Sequence, residues 1–89
     1  MSTAAPVILV TGASRGIGRA IVARFLREGC VVVACARGAA GLAELKAEFP
    51  EVDCFPCDMR DGAAVDALAR DVQARHGAVD LLVNNAGAY

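Results

Sequence analysis

Apolar and polar positions along this chain come in blocks whose period switches. Val7 to Val10 are four apolar residues in a row, the pattern of a strand buried on both faces of a parallel sheet. After a turn through Thr11 and Gly12 the period becomes helical near Gly16, with Ile17, Ile21, Val22, Phe25 and Leu26 on one side. Arg27-Glu28-Gly29 supplies a stop, with Gly29 just past the helix end. Cys30 to Ala36 is uncharged and rich in valine, which predicts a second buried strand ended by Arg37-Gly38. Ala39 to Phe49 reads as a second helix on Leu42, Leu45 and Phe49, stopped by Pro50. Val52 to Cys57 is a short third strand weakened by Pro56. Asp61 is placed to cap a third helix that runs to His76, with Val65, Leu68 and Val72 inward and Gly77 closing it. Val79 to Val83 is a fourth strand, ending in Asn84-Asn85-Ala86-Gly87.

The order β-α-β-α-β-α-β implies right-handed crossovers and a parallel sheet, an α/β fold. A doubly wound arrangement places the strands in the order 3-2-1-4 and puts a ligand crevice beyond their carboxyl ends, where the order reverses. Polar residues cluster at those ends: Ser14 and Arg15, Arg37, Asp58, then Asn84 and Asn85.

Composition adds limits. At 89 residues and 56% hydrophobic content the chain is one small domain or a piece of a larger one. A formal charge of −1 gives no reason to expect nucleic acid or a membrane surface as partner. No apolar run approaches the ~18 residues that span a bilayer. Met1 to Pro6 lacks the pattern of a signal peptide, so the expectation is a cytoplasmic protein.

The chemistry is concentrated between residues 7 and 18. A strand, a glycine-rich turn and a helix start in succession make an anion site, because the first N–H groups of a helix lack acceptors and its dipole is positive there. Gly12, Gly16 and Gly18 let the backbone approach a bulky phosphate, Ser14 adds a hydroxyl and Arg15 a charge. The spacing is Gly-x-x-x-Gly-x-Gly, not the general dinucleotide pattern Gly-x-Gly-x-x-Gly. Ser14 has no base beside it and is not read as a nucleophile.

Cys54-Phe-Pro-Cys57 has the spacing of a redox or zinc motif, with Cys30 and Cys35 elsewhere. It ends a strand rather than opening a helix, and no second pair or histidine pair completes a zinc set. Plain buried thiols are the expectation, with no metal site; redox or metal work is the alternative.

Four blocks together resemble the cofactor-binding half of the short-chain dehydrogenase/reductase family, in the style of the ketoacyl-carrier-protein reductases. They are Thr11-Gly-Ala-Ser-Arg-Gly-Ile-Gly18, Ala36-Arg37, Cys57-Asp58-Met59 and Asn84-Asn85-Ala86-Gly87. The resemblance covers essentially all of residues 1–89 and implies the N-terminal part of a Rossmann-type sheet that binds NAD(P). It implies hydride transfer between nicotinamide and a carbonyl or alcohol carbon of a small-molecule substrate, and a homo-oligomer at full length. The cofactor-binding residues it assigns are Gly12, Ser14, Arg15, Gly16, Ile17, Gly18, Arg37, Asp58, Met59, Asn85, Ala86 and Gly87.

Arg37 fits a solvated loop charge or, since no acid ends the second strand, a partner for the 2′-phosphate of NADP. NADP(H) is therefore expected over NAD(H). Asp58 fits the approach to the third helix or, by the resemblance, an acceptor for the adenine amino group, with the Met59 N–H meeting the ring. Asn84 and Asn85 fit strand-end turns or, by the resemblance, a brace at the sheet centre and the ribose wall. The family's catalytic Ser and Tyr-x-x-x-Lys are not among these residues, and the lone Tyr89 comes too early to stand in. No catalytic residue is expected here, and residues 1–89 alone are expected not to reduce carbonyls. A stand-alone nucleotide-binding or interaction module is the alternative. Isolated, the chain is also expected to self-associate along its fourth strand and to leave Val7 to Val10 partly bare.

Overall fold

The computed structural model describes residues 5–14 and 16–85. Its elements are β1 (Val7–Thr11), α1 (Gly16–Arg27), β2 (Val31–Ala36), α2 (Ala39–Glu48), β3 (Asp53–Pro56), α3 (Gly62–His76) and β4 (Leu81–Asn84). All pairings are parallel and the order is β3-β2-β1-β4, so a crossover reverses direction between β1 and β4. The expected topology is the observed one.

Side chains alternate across the pleat into two cores. Ile8, Val10, Val32 and Ala34 point to one side and pack with Val22 of α1, Leu45 of α2 and Val52. Val7, Val33, Cys35 and Phe55 point to the other and pack with Leu68 and Val72 of α3. Covering β1 and β2 on both faces is what makes these two strands read as unbroken apolar runs. Val7, Ile8 and Val10 are buried, which corrects the expectation of a partly bare first strand; only Leu9 is half-buried there.

Element ends differ from the expected ones for definable reasons. Cys30 is not in the strand because its N–H closes α1 onto Phe25 O, while Gly29 N–H takes Leu26 O with Gly29 at φ +84°. That pair of bonds is a Schellman cap, and it needs the glycine. β4 starts at Leu81 rather than Val79. Asp80 seals the start of β1 instead, its N–H bonding Val7 O and its carboxylate accepting from Val7 N–H at 2.8 Å. Pro56 is tolerated because β3 is an edge, paired only to β2, and Cys57 N–H restores a bond to Ala36 O. Ile17 corrects the expected inner stripe of α1: it is 72% exposed. It sits in the first turn, and the buried side of the helix begins with Gly18 and Val22.

Candidate functional site

The carboxyl ends of the strands open into a cleft of about 1120 Å³. Its wall includes Gly12, Ser14, Arg37, Asp58, Met59 and Asn85, six of the residues assigned to a cofactor from sequence. Arg15, Ala86 and Gly87 lie outside the described residues. A smaller apolar groove of about 300 Å³ lies at the other end of the sheet, against Leu9, Val72 and Val79.

The turn after β1 is built by backbone geometry. Gly12 and Gly16 hold φ of +61° and +62°, a region that other residues enter only under strain. Gly18 serves packing. A Cβ there would come within 2.3 Å of Gly12 O, 2.8 Å of Asn85 Nδ2 and 2.9 Å of Ala13 Cα. Without that atom α1 packs directly against the turn, and its open N–H groups are brought to the end of β1.

The turn is stitched to β4 by a side-chain network that sequence reading only partly foresaw. Asn85 N–H donates to Thr11 Oγ1 at 2.9 Å and Asn85 Nδ2 donates to Gly12 O at 3.1 Å. The fully buried Thr11 hydroxyl lies 3.0 Å from Asn84 Oδ1 and donates to it. Both asparagines therefore brace the join of β1 and β4, where the strand order reverses. In the sequence Thr11 reads only as part of the turn; the signal that marks it is a polar residue ending an apolar strand.

α2 begins beside the same turn. Its N-cap, Gly38, provides no side-chain bond, and its first turn has no acid. The N–H groups of Ala39, Ala40 and Gly41 thus lack an intrahelical acceptor. A Cβ on Gly41 would lie 2.9 Å from Ser14 Cβ and 3.0 Å from Ser14 Oγ, so the starts of α1 and α2 converge. Gly41 was missed, since this closeness is visible only in three dimensions. Arg37, exposed at the end of β2, stands at this junction.

Asp58 is held by its neighbour. Arg60 N–H and Nε both donate to Oδ1, at 3.0 and 3.1 Å, and Nη2 donates to Oδ2 at 3.1 Å. The Arg60 side chain, then its backbone N–H, pull the carboxyl down to about 2, with the charge of Arg37 adding to this against slight desolvation. Three of roughly four acceptor positions are occupied, which leaves one on Oδ2 for a ligand donor. Arg60 was not singled out from sequence, although the Asp-x-Arg spacing carried it.

The Cys-x-x-Cys spacing does not form a site. Cys54 packs toward α1 and α2, while Cys57 packs toward α3. Burial pushes both thiols up, with Asp58 and Asp61 reinforcing the shift at Cys57. Raised thiols are poor nucleophiles, the reverse of a redox motif. Among the described residues, no three His, Cys, Asp or Glu side chains converge as metal ligands. No helix there is long and apolar enough to cross a membrane.

Comparison with known proteins agrees with this geometry. The profile of the short chain dehydrogenase family matches residues 6–89. A Streptomyces coelicolor protein provisionally named a ketoacyl reductase is 47% identical over 85 residues, covering 91% of this chain and 33% of its own length. A 3beta-hydroxysteroid dehydrogenase of Mediterraneibacter gnavus is 41% identical, with 91% and 31% covered. The chain thus spans about a third of the length of the curated relatives it matches. Among solved structures, a variant of actinorhodin polyketide ketoreductase with NADPH aligns at TM-score 0.90 and 45% identity, over 93% of this chain and 33% of that one. A metagenomic short-chain oxidoreductase in complex with NADP aligns at 0.87 and 41% identity, over 97% and 41%. With its strand order, its glycine turn and this similarity along nearly its whole length, the chain belongs to the short-chain dehydrogenase family.

Proposed function

We propose that this chain is the cofactor-binding part of an oxidoreductase that uses NADP(H) in preference to NAD(H) on a small carbonyl or alcohol substrate. The carrying observation is the junction at the end of β2, where Arg37 meets the uncapped, acid-free start of α2. A 2′-phosphate suits that setting, and the carboxylate that would instead hold a ribose hydroxyl is absent because β2 ends in Ala36. The cleft also fits the remainder of a dinucleotide. Its glycine turn admits a diphosphate to open backbone N–H groups, and Asp58 keeps one acceptor position for an amino group. The NADPH and NADP held by two solved relatives support the reading.

In this reading the turn from Gly12 to Gly18 and Ser14 hold the diphosphate, and Arg37 with the α2 start hold the 2′-phosphate. Asp58 and the Met59 N–H meet the adenine, and the brace of Thr11 and Asn85 fixes the ribose side of the cleft. When bound, the nicotinamide supplies or accepts the hydride. The residues described here bind and orient; none is placed to transfer a proton to a substrate oxygen.

Isothermal titration of the chain with NADPH and with NADH tests this. Arg37→Ala should cost NADPH about ten- to a hundredfold in affinity, the worth of a charge-assisted phosphate contact, and leave NADH nearly unchanged. Equal losses for both cofactors refute the assignment of Arg37. Binding of neither by the wild-type chain would favour an interaction module.

A further inference from the structure

Beneath the cleft, between the end of β2 and the loop after β3, three sulfur atoms meet. Met59 Sδ lies 3.9 Å from Cys35 Sγ and 3.9 Å from Cys57 Sγ, and each thiol donates its S–H toward the thioether. Cys35 and Cys57 are buried and Met59 is half-buried. Cys57 and Met59 also wall the cleft, so the cluster is one layer below solvent and has a way in. The loop is tied in place, since Cys57 N–H bonds Ala36 O at 2.9 Å, which brings the two thiols to the ends of neighbouring strands.

The spacing matters. A metal–thiolate bond is about 2.3 Å, so three sulfurs around a three-coordinate ion stand about 4.0 Å apart. Both thiol-to-thioether separations are already 3.9 Å, so the two sides of the triangle that meet at Met59 have the length a shared ion requires. We propose that Cys35, Cys57 and Met59 form a binding site for a soft monovalent cation of the copper(I) type, entered from the cleft. Thiolate and thioether donors select soft ions, whereas calcium and magnesium require oxygen ligands. Zinc requires a fourth donor, and among the described residues no His, Asp or Glu joins the two cysteines. On binding, each thiol releases its proton to water and its sulfur lone pair goes to the ion. The thioether donates a third pair, and the metal keeps its oxidation state.

The site was hidden in the sequence because its ligands are not the Cys-x-x-Cys pair. Cys54 packs on the opposite face of the sheet, and the partner of Cys57 is Cys35, more than twenty residues earlier. The proposal is independent of the nucleotide reading. Burial pushes the Cys35 thiol up to about 11, with Cys57 adding to the shift.

The test is titration of the full 89-residue chain with copper(I) from a bicinchoninate buffer under argon, followed by X-ray absorption of the complex. One ion per chain with a shell of three sulfurs is expected. Cys57→Ser should abolish it, and Cys30→Ser and Cys54→Ser should leave it unchanged. Met59→Leu conserves volume and the core packing, so it keeps the test valid where Cys57→Ser fails to fold. It should leave a two-sulfur shell and weaken binding by at least about tenfold, since even outer-shell changes at metal sites cost that much. Copper that binds Met59→Leu as tightly as wild type, that persists in Cys57→Ser, or that is lost from Cys54→Ser overturns the proposal.

Discussion

The starts of α2 and α3 do opposite things with the same orphan groups. Both helices follow a strand of the same sheet and both begin at its carboxyl end. At α3 the Asp61 carboxylate accepts from Ala63 N–H and Ala64 N–H, at 3.1 and 3.3 Å. At α2 the N-cap is Gly38, with backbone in the same extended region and no side-chain bond. A capped start is complete on its own and contributes to stability; an uncapped one beside a cleft leaves donors for something else to fill. α1 shares two features with α2: it has no acid in its first turn, and it has glycine where a side chain would block approach. In the proposed reading, therefore, the uncapped start of α2 serves a ligand, and the capped start of α3 serves the fold.

The largest expected effect separates the two kinds of glycine. Gly18→Ala puts a methyl group against backbone at 2.3 Å, which neither Gly12 nor Ala13 can relieve without moving the turn. A loss of about 3 kcal/mol in urea unfolding, together with loss of NADPH binding, is expected for such overpacking. Gly62→Ala, at the first residue of α3, meets nothing within 4 Å. It should be neutral or gain up to ~1 kcal/mol from reduced backbone freedom. Similar small effects at both positions would break the distinction.

Next in size is an attempt to convert α2 into an α3. Gly38→Asp places a carboxylate at an N-cap whose φ of −89° and ψ of 122° already suit one. Helix stability should rise by only a few tenths of a kcal/mol, since glycine is itself a tolerable cap. In the proposed pose the new charge would face the 2′-phosphate and occupy its donors, so NADPH affinity should nevertheless fall by roughly ten- to a hundredfold. Affinity unchanged by this variant would mean that the start of α2 does not meet the cofactor.

Much of this was legible in the sequence because burial on both faces writes itself as apolar runs and helix caps write themselves as single residues. Val7 to Val10, the Asp61 cap and the Gly29 stop follow from such local signals, and the strand order follows from the doubly wound arrangement that the alternation of strands and helices implies. The polar strand ends pointed to a cleft for the same reason. What stayed hidden depends on pairs distant in sequence. Ser14 lies against the start of α2 at Gly41, and Cys57 is joined through Met59 to Cys35 rather than to Cys54. Ile17 matches the helical period yet is exposed, because period alone does not say where the covering layer begins. The Arg60 clamp on Asp58 was short-range but looked like ordinary surface charge.

The cap of α3 should matter only to the fold. Asp61→Ala removes the acceptor for two N–H groups and should cost about 1 kcal/mol in chemical denaturation. NADPH affinity should stay within error of wild type. A drop in affinity larger than the drop in stability explains would show that α3 also belongs to the binding machinery.

The smallest effect sharpens the same contrast at the other end of α3. Arg75 and His76, in its last turn, both reach Asp53 at the start of β3, with contacts of 2.9 and 2.8 Å. The Arg75 charge there also suits the helix dipole, so α3 is satisfied at both ends by the protein itself. Partial burial pushes the Asp53 carboxyl up, but the hydrogen bonds from His76 and Arg75 outweigh it and hold the group below its ordinary value. A carboxyl lowered by folding stabilises the protein at pH above its unfolded value, and the contribution is lost as pH falls through the folded value. Asp53→Asn should therefore cost about 0.5–1 kcal/mol at neutral pH, the range for a partly exposed ion pair. The difference from wild type should shrink on acidification and vanish once the wild-type carboxyl is protonated. Arg75 keeps its place over the Phe55 ring, 4.9 Å from the centroid, so the local packing survives the substitution. Urea unfolding of both proteins across the acidic range measures this. A penalty that persists unchanged below the carboxylate range would mean that Asp53 acts through shape rather than charge, and that α3 is not held electrostatically at its far end.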